Sequence, residues 1–382
     1  MPLPVIDLFA GVGGLSLGAC RAGFELRLAI DNDPKTFAAH AANFPSVRHS
    51  AEDILELTGD RLLELAKTQR AELVGLIGGP PCQGFSRIGR REKADPRNNL
   101  FCKFFDLVHD VRPAFFLAEN VPGIMDDVYD ELRAEALADL TDYVCLDPFE
   151  VRASDFGAPT NRTRVLFIGY YPESFDVELT AKDFADAGAA SPILVREALS
   201  GLPTRIKDTW LTDEFGWRKV RKRINGAFWQ RVAGCIPDGV GDPESLRQLG
   251  EENRVSGCIA TDHTSKTRKR FAQLAVGEVD SVSRARRLDP SGTCPTLRAG
   301  TAQDRGSYQA VRPIHPSEDR VITPREAARL QGFPDWFRFA PTKWHSFRQI
   351  GNSVSPIVAE AILKRIRERL TRSSAQRMDR AA

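Results

Sequence analysis

The sequence predicts an α/β protein with a mostly parallel sheet and a second, smaller, loop-rich domain. Two observations carry this expectation. From the N-terminus to about Tyr170, short apolar runs alternate with helix-like stretches, the pattern of parallel strands joined by crossover helices. After Tyr171 the alternation fades into a stretch rich in Gly, Pro, Arg and Ser that continues to about Pro313. The length of 382 residues is that of about two domains. A hydrophobic fraction of 42% is ordinary for a globular chain and too high for a disordered one.

The elements follow in order. Val5-Ile-Asp-Leu8 reads as a strand, followed by a glycine-rich turn and a helix through about Ala22. Leu26 to Ile30 is the next strand and ends in Asp31-Asn32-Asp33, and a third precedes Asp53-Ile54. Leu73 to Ile77 runs into Gly78-Gly79-Pro80-Pro81-Cys82, Phe115 to Ala118 into Glu119-Asn120, and Arg164 to Tyr170 is a further strand. Polar residues therefore gather at strand ends, where open parallel sheets bind their ligands. Late in the chain, Thr323-Pro-Arg-Glu326 has the form of a helix N-cap with a capping box and Pro in the first turn. A final helix is expected from about Pro356 to Leu370, with a polar tail beyond it.

Four segments carry chemistry. Asp7-Leu-Phe9-Ala-Gly11-Val-Gly13-Gly14-Leu15 is a glycine turn between strand and helix, which lets a nucleotide-type cofactor approach the backbone. Its spacing is not GxGxxG, because position 16 is Ser, and this disfavours a nucleotide-dependent oxidoreductase. Asp31, at the next strand end, stands where an acid holds ribose hydroxyls, and Asp53-Ile54 where an adenine amine is met. Taken alone, each of these acids reads more readily as a helix cap or a solvated group. Gly79-Pro80-Pro81-Cys82-Gln83-Gly84-Phe85-Ser86 sets a cysteine in a loop stiffened by prolines and kept open by glycines, a setting for a thiolate nucleophile. Glu119, at the end of an apolar strand, is costly there unless paired or functional, and suits general-acid work. Asn161-Arg162-Thr163-Arg164 places two arginines on one face of an entering strand, suited to an anionic or carbonyl-bearing ligand.

The formal net charge of +2 hides an asymmetry. Thr204 to Arg312 holds 20 Lys+Arg against 13 Asp+Glu, a balance of +7, and the remainder balances to −5. Trp217 to Arg231 carries Arg218, Lys219, Arg221, Lys222, Arg223 and Arg231 with no acid, interleaved with Trp217, Phe228 and Trp229. Basic clusters with aromatics are the footprint of a nucleic-acid surface. Seven cysteines without a CxxC pair speak against a disulfide framework or zinc ribbon, and no metal site is expected. Met1 to Asp7 lacks a basic region before an apolar one, so it is not expected to be a signal peptide, and no apolar run reaches the ~18 residues of a membrane span; a cytoplasmic protein without a membrane partner is expected.

With these four segments in order, the chain resembles the cytosine-C5 DNA methyltransferases. Two further stretches add to the resemblance: Arg320 to Pro334, similar to the family's helix beneath its recognition domain, and Gln349-Ile-Gly351-Asn352-Ser353-Val354, similar to its C-terminal cofactor motif. The resemblance implies a Rossmann-like S-adenosylmethionine methyltransferase domain over residues 1–172 and 340–382, with a target recognition domain and hinge over 173–339. It implies double-stranded DNA as substrate and S-adenosyl-L-methionine as cofactor. Asp7, Phe9, Gly11, Gly13, Gly14, Leu15, Asp31, Asn32, Asp53, Ile54, Asn352 and Val354 would then line the cofactor. Cys82 would attack C6 of a flipped cytosine, Glu119 would hold or protonate N3, Arg162 and Arg164 would brace the base, and the Pro81 carbonyl would meet its amino group. Gln83, Ser86 and Arg87 would lie on a loop closing over DNA, and Arg218, Arg221, Arg223 and Arg298 would contact DNA. The chain departs from the family pattern at Thr160, where Gln is usual, and at Asp31, where Glu is frequent.

A bacterial modification or defence system, with a partner restriction endonuclease, is the setting the resemblance implies, with the enzyme acting as a monomer on DNA. The rival readings are an RNA cytosine-C5 methyltransferase and a catalytically inactive DNA-binding protein. The first is disfavoured by the lack of a Cys-Phe-Thr tripeptide, the second by intact Cys82, Glu119 and Arg164.

Overall fold

The computed structural model describes residues 2–81, 98–187, 190–206, 215–221, 226–300 and 311–370. Eight strands form one mixed sheet: β1 (Pro4–Leu8), β2 (Glu25–Ile30), β3 (Arg48–Ser50), β4 (Gly75–Gly78), β5 (Phe115–Asn120), β6 (Val144–Cys145), β7 (Phe149–Arg152) and β8 (Thr163–Tyr170). Their order is β3-β2-β1-β4-β5-β8, with β6 and β7 both pairing the outer side of β8. β1 to β5 are mutually parallel, whereas β8 runs antiparallel to β5, with Glu119 opposite Leu166 and Asn120 opposite Val165. The expected strands are all present. The reversed β8 brings its starting residues, not its last ones, to the edge where the parallel strands end.

The strand order reverses between β1 and β4, and such a switch point opens a crevice at the carboxyl ends of the strands. The glycine turn after β1 and the Gly79-Pro80-Pro81 turn after β4 flank it. Along the strands, alternation sends neighbours to opposite faces. Val5, Phe115 and Leu117 join one buried cluster, while Ile6, Leu8, Phe116 and Ala118 join the other. The second face is covered by α3 (Gly59–Ala66), α4 (Asn98–Val111) and α5 (Asp130–Leu137), the first by α1 (Gly14–Arg21) and the C-terminal α13 (Pro356–Arg369); α2 (Pro34–Asn43) joins β2 to β3.

α1 and α13 pack closely because glycines remove side chains between them: a Cβ on Gly18 would lie 2.3 Å from Ala359 Cβ. Between β8 and α13 lie short helices: α6 (Ala181–Ala187), α7 (Val195–Ala198), α8 (Ala227–Ala233), α9 (Pro243–Glu252), α10 (Ser265–Ala272), α11 (Pro324–Gln331) and α12 (Lys343–Asn352). A two-strand ladder, β9 (Arg218–Lys219) with β10 (Arg254–Val255), sits among them. The buried cluster on the α1 face continues without a break through Val195, Val220, Val255, Leu288 and Leu297 to α11. The α11 capping box is formed as expected: Thr323 Oγ1 accepts from Glu326 N, and the Glu326 carboxylate accepts from Thr323 N. Among the described residues no helix is long and apolar enough to cross a membrane.

Candidate active site

The turn after β1 adopts backbone that only a few residues tolerate. Gly11 and Gly13 have φ of 56° and 102°, and Phe9 holds a positive φ of 58°, strain of the kind kept at ligand sites. A Cβ on Gly13 would lie 2.4 Å from the Phe44 ring, so only glycine fits there. A Cβ on Gly14 would lie 2.2 Å from Val354 O, so the Ser353-Val354 segment closes directly onto the start of α1. Above Gly11, by contrast, a Cβ would meet nothing nearer than Phe9 O at 3.9 Å, leaving an open cradle at the crevice.

Asp31 anchors the cradle. Its Oδ2 accepts from Gly11 N and its Oδ1 from Asp33 N, both at 2.9 Å, and burial raises its pKa against those two hydrogen bonds. Asn32 and Asn352 are exposed at the rim, while Leu15, Ile54 and Val354 are buried beneath it. Asp53 caps the 3-10 turn over Ile54–Glu56, with Oδ1 accepting from Leu55 N. The cradle over Gly11, the acid at its wall and the exposed amides suit an adenosine-bearing cofactor.

Beneath the turn lies a polar chain that the sequence did not announce. Asp7 is fully buried; Ser16 Oγ donates to its Oδ2 and lies 2.9 Å from His40 Nε2, and His40 Nδ1 lies 2.8 Å from His49 Nε2. Burial pushes the Asp7 carboxyl up to about 7; the Ser16 hydrogen bond works against this and the Asp31 charge with it. Burial, with the charge of His49, holds His40 well below the usual histidine range. The signal for this chain is spread over β1, α1, α2 and β3, and becomes visible only once they pack.

On the other side of the switch point, Glu119 is buried, and its Oε1 lies 2.5 Å from Arg164 Nε. A Cβ on Gly79 would lie 3.4 Å from Glu119 Oε2, so the carboxylate faces the turn that leads into Cys82. Asn120 ties the same turn to β5 by donating from Nδ2 to Pro80 O at 3.4 Å. Arg162 and Arg164 line one small cavity with Val354 and Ser355. Arg162 donates from Nη1 to Gly351 O (2.8 Å) and Leu297 O (3.3 Å), and from Nη2 to Asn352 O (3.3 Å), which joins the start of β8 to the chain around Leu297 and to the Gln349–Val354 stretch. Cys82, Gln83, Ser86, Arg87 and Arg223 lie outside the described residues. Of the other cysteines, burial pushes the thiols of Cys20 and Cys258 up to about 12, and those of Cys102 and Cys145 to about 11, which makes them poor nucleophiles.

This combination of cradle, buried acid and arginine meets a direct match. The profile of the C-5 cytosine-specific DNA methylases matches residues 3–368. The chain is 38% identical to the type II methyltransferase M.XorII of Xanthomonas oryzae over 373 residues, covering 94% of this chain and 82% of that protein. It is 31% identical to M.DdeI of Desulfomicrobium norvegicum, covering 95% and 88%. The chain belongs to the C-5 cytosine-specific DNA methylase family. It is a DNA (cytosine-5) methyltransferase.

The fold of this methyltransferase is similar to the crystal structure of a prophage-encoded DNA modification methyltransferase of E. coli, with a TM-score of 0.85, 48% identity, and 96% and 99% of the two chains covered. The S. pombe Dnmt2 structure shares the fold at a TM-score of 0.62 and 17% identity, covering 96% and 98%. Of the arginines expected from the sequence to contact DNA, Arg221 and Arg298 are exposed. Arg218 lies in β9, half-buried, with its Nη1 donating to Trp217 O at 2.6 Å.

Proposed function

We propose that the methyltransferase moves a methyl group from S-adenosylmethionine to C5 of a cytosine flipped out of a specific duplex sequence, through a bond between Cys82 and ring carbon C6. The observation that carries this reading is the buried Glu119 carboxylate, held by Arg164 and facing the Gly79–Pro81 turn that delivers Cys82. S-adenosylmethionine supplies an electrophilic methyl group. Gly11, Asp31, Asn32, Ile54, Asn352 and Val354 would hold it across the switch point.

Cytosine C5 is a poor nucleophile, and addition of the Cys82 thiolate at C6 makes it enamine-like. As the C6–S bond forms, Glu119 in its protonated form gives its proton to N3 and so takes up the charge that would build on the ring. Arg164 fixes the carboxylate and the Pro81 carbonyl receives the amino group. After the methyl group reaches C5, the C5 proton leaves to a base, Glu119 recovers the N3 proton, and the C6–S bond breaks to release Cys82. The base must leave the stack, because C6 is attacked from above the ring plane, at a cost of about a few kcal/mol recovered from phosphate and groove contacts. Residues 173–339, with Arg218, Arg221, Arg223 and Arg298, supply the recognition surface.

The names of M.XorII and M.DdeI as type II methyltransferases support a role in a restriction-modification system. Bisulfite sequencing of DNA from cells expressing the chain gives the methylated sequence. A duplex carrying 5-fluorocytosine at that site then forms an adduct that survives denaturation, because fluorine cannot leave as a proton does. The adduct is absent with Cys82→Ala; an adduct of equal yield with that variant removes Cys82 from the mechanism.

A further inference from the structure

One face of α12 gathers positive charge without matching acids among the described residues. Lys343, Phe347 and Gly351 recur at every fourth residue and so follow one side of the helix. The Arg312 guanidinium lies 4.1 Å over the Phe347 ring, next to the Lys343 turn. Lys343 Nζ donates to Ala260 O at 2.8 Å, which pins its stem. One turn further, the Arg298–Ala299 backbone rests on Gly351: a Cβ there would lie 2.5 Å from Ala299 N. Arg298 itself is exposed, and Arg162 ends the row by donating to Gly351 O.

The row spans about 12 Å from Lys343 to Gly351 at the helical rise per residue. Among the described residues, no carboxylate pairs with Arg298, Arg312 or Lys343. Asp262, whose charge acts on Lys343, is paired with Arg268. Arg312 Nε is buried with no hydrogen-bond partner. Burial lowers the pKa of both Arg312 and Lys343, and the Arg312 charge adds to the effect on Lys343.

Half-buried like charges side by side are unfavourable unless an anion joins them, and this row leads to the segment held by Arg162 at the catalytic edge. We propose that Arg312, Lys343 and Arg298 form a binding site for the phosphate backbone of duplex DNA along α12. The site rests on the chain's activity as a DNA methyltransferase and adds a sequence-independent clamp outside the Trp217–Arg231 cluster. Phe347 holds the Arg312 plane in place, and the Ala260 carbonyl holds Lys343, so the charges are presented with little side-chain freedom left to lose on binding.

The test uses the full chain and a labelled 30-base-pair duplex of mixed sequence, with anisotropy titrations across a series of KCl concentrations. Phosphate contacts act regardless of sequence, so no target site is needed. Arg312→Gln keeps a planar group over Phe347 and removes its charge; Lys343→Gln does the same for the ammonium. Each is expected to reduce the magnitude of the salt slope by about one and to weaken binding about eightfold near 0.1 M salt. Arg312→Lys is expected to retain the slope. Calorimetric S-adenosylmethionine affinity and the unfolding midpoint are expected to stay at wild-type values, separating loss of a contact from loss of fold. Wild-type slopes in both Gln variants would overturn the site while leaving the DNA reading intact. Failure of the wild-type chain to bind the duplex at any salt would instead strike the DNA reading itself.

Discussion

Two buried polar networks of the molecule neutralise charge in opposite ways. Beneath the glycine turn, Asp7 has no cationic partner among the described residues: it rests on the Ser16 hydroxyl, its Oδ1 is buried without a hydrogen-bond partner there, and it comes toward neutrality by holding a proton up to about pH 7. Around α11 the buried acids are paired with arginines. Arg329 and Asp335, both with side chains fully buried, form a two-pronged pair at 2.8 and 2.7 Å, and Arg329 also donates to Ala198 O and Ser200 O. Arg320 grips Glu326 in the same manner at 2.8 and 2.7 Å, so burial, which pushes the Glu326 carboxyl up, is outweighed and the carboxyl stays ionised. The first network follows the pH of its surroundings through Asp7, whereas the second holds the segments around Ala198, Ser256 and Pro334 to one helix through arginine–carbonyl bonds.

The comparison breaks hardest at Arg329. Arg329→Ala leaves the Asp335 carboxylate buried alone, and destabilisation of about 3–5 kcal/mol is expected. Replacing both partners, Arg329→Met with Asp335→Leu, removes the stranded charge and is expected to recover a large part of that loss in urea unfolding. Equal losses for the single and double variants would mean that the arginine acts through its packing on Trp229 and its carbonyl contacts, and that the ion pair contributes little.

How much of this could be read beforehand follows from where each signal sits in the chain. β1, β2, β4 and β5 are local apolar runs ending in glycine turns or acids, and the α11 cap is a four-residue pattern, so both were legible. The Glu119–Arg164 contact was not. It depends on β8 running antiparallel: Glu119 faces Leu166, and Arg164, two residues back on the same face, becomes its diagonal neighbour. Nothing in the run RVLFIGY gives its direction. The Asp7–Ser16–His40–His49 chain needs four elements to meet, and each residue taken singly reads as a cap or a satisfied core group.

Asp7 gives the pH-dependent arm of the comparison. Its ordinary pKa is 3.8 and its folded value is about 7, so between these values the folded chain keeps a proton that the unfolded chain has lost. Stability from this group is therefore fully present at the acid end and falls as pH rises through about 4 to 7. His40 acts in the opposite sense: its folded pKa lies well below 6.5, so its contribution is lost as pH falls below that value. Asp7→Asn keeps an acceptor for Ser16 and cannot ionise. Its stability relative to wild type, followed by urea midpoints from pH 4 to pH 8, is expected to rise across that window and level off above pH 7. A difference that does not change with pH would mean that Asp7 is charged throughout and neutralised by a group the Ser16 chain does not include.

The smallest effect separates two roles that Glu326 combines. Its carboxylate accepts from Thr323 N at 2.7 Å as half of the capping box, and it also takes both prongs of Arg320. Thr323→Ala removes only the other half, the bond from Glu326 N to Thr323 Oγ1, and is expected to cost about 1 kcal/mol, with Thr323→Ser near wild type. Glu326→Gln weakens the cap and leaves Arg320 without its counter-charge, so it is expected to cost more than Thr323→Ala. Should the two variants prove equal in unfolding midpoint, the Arg320 pair would be offset by the desolvation of its members, and α11 would be held by its cap and by Arg325 and Arg329. That outcome would move the stability of the hub from paired charge to the arginine–carbonyl bonds, which persist whether or not an acid is present.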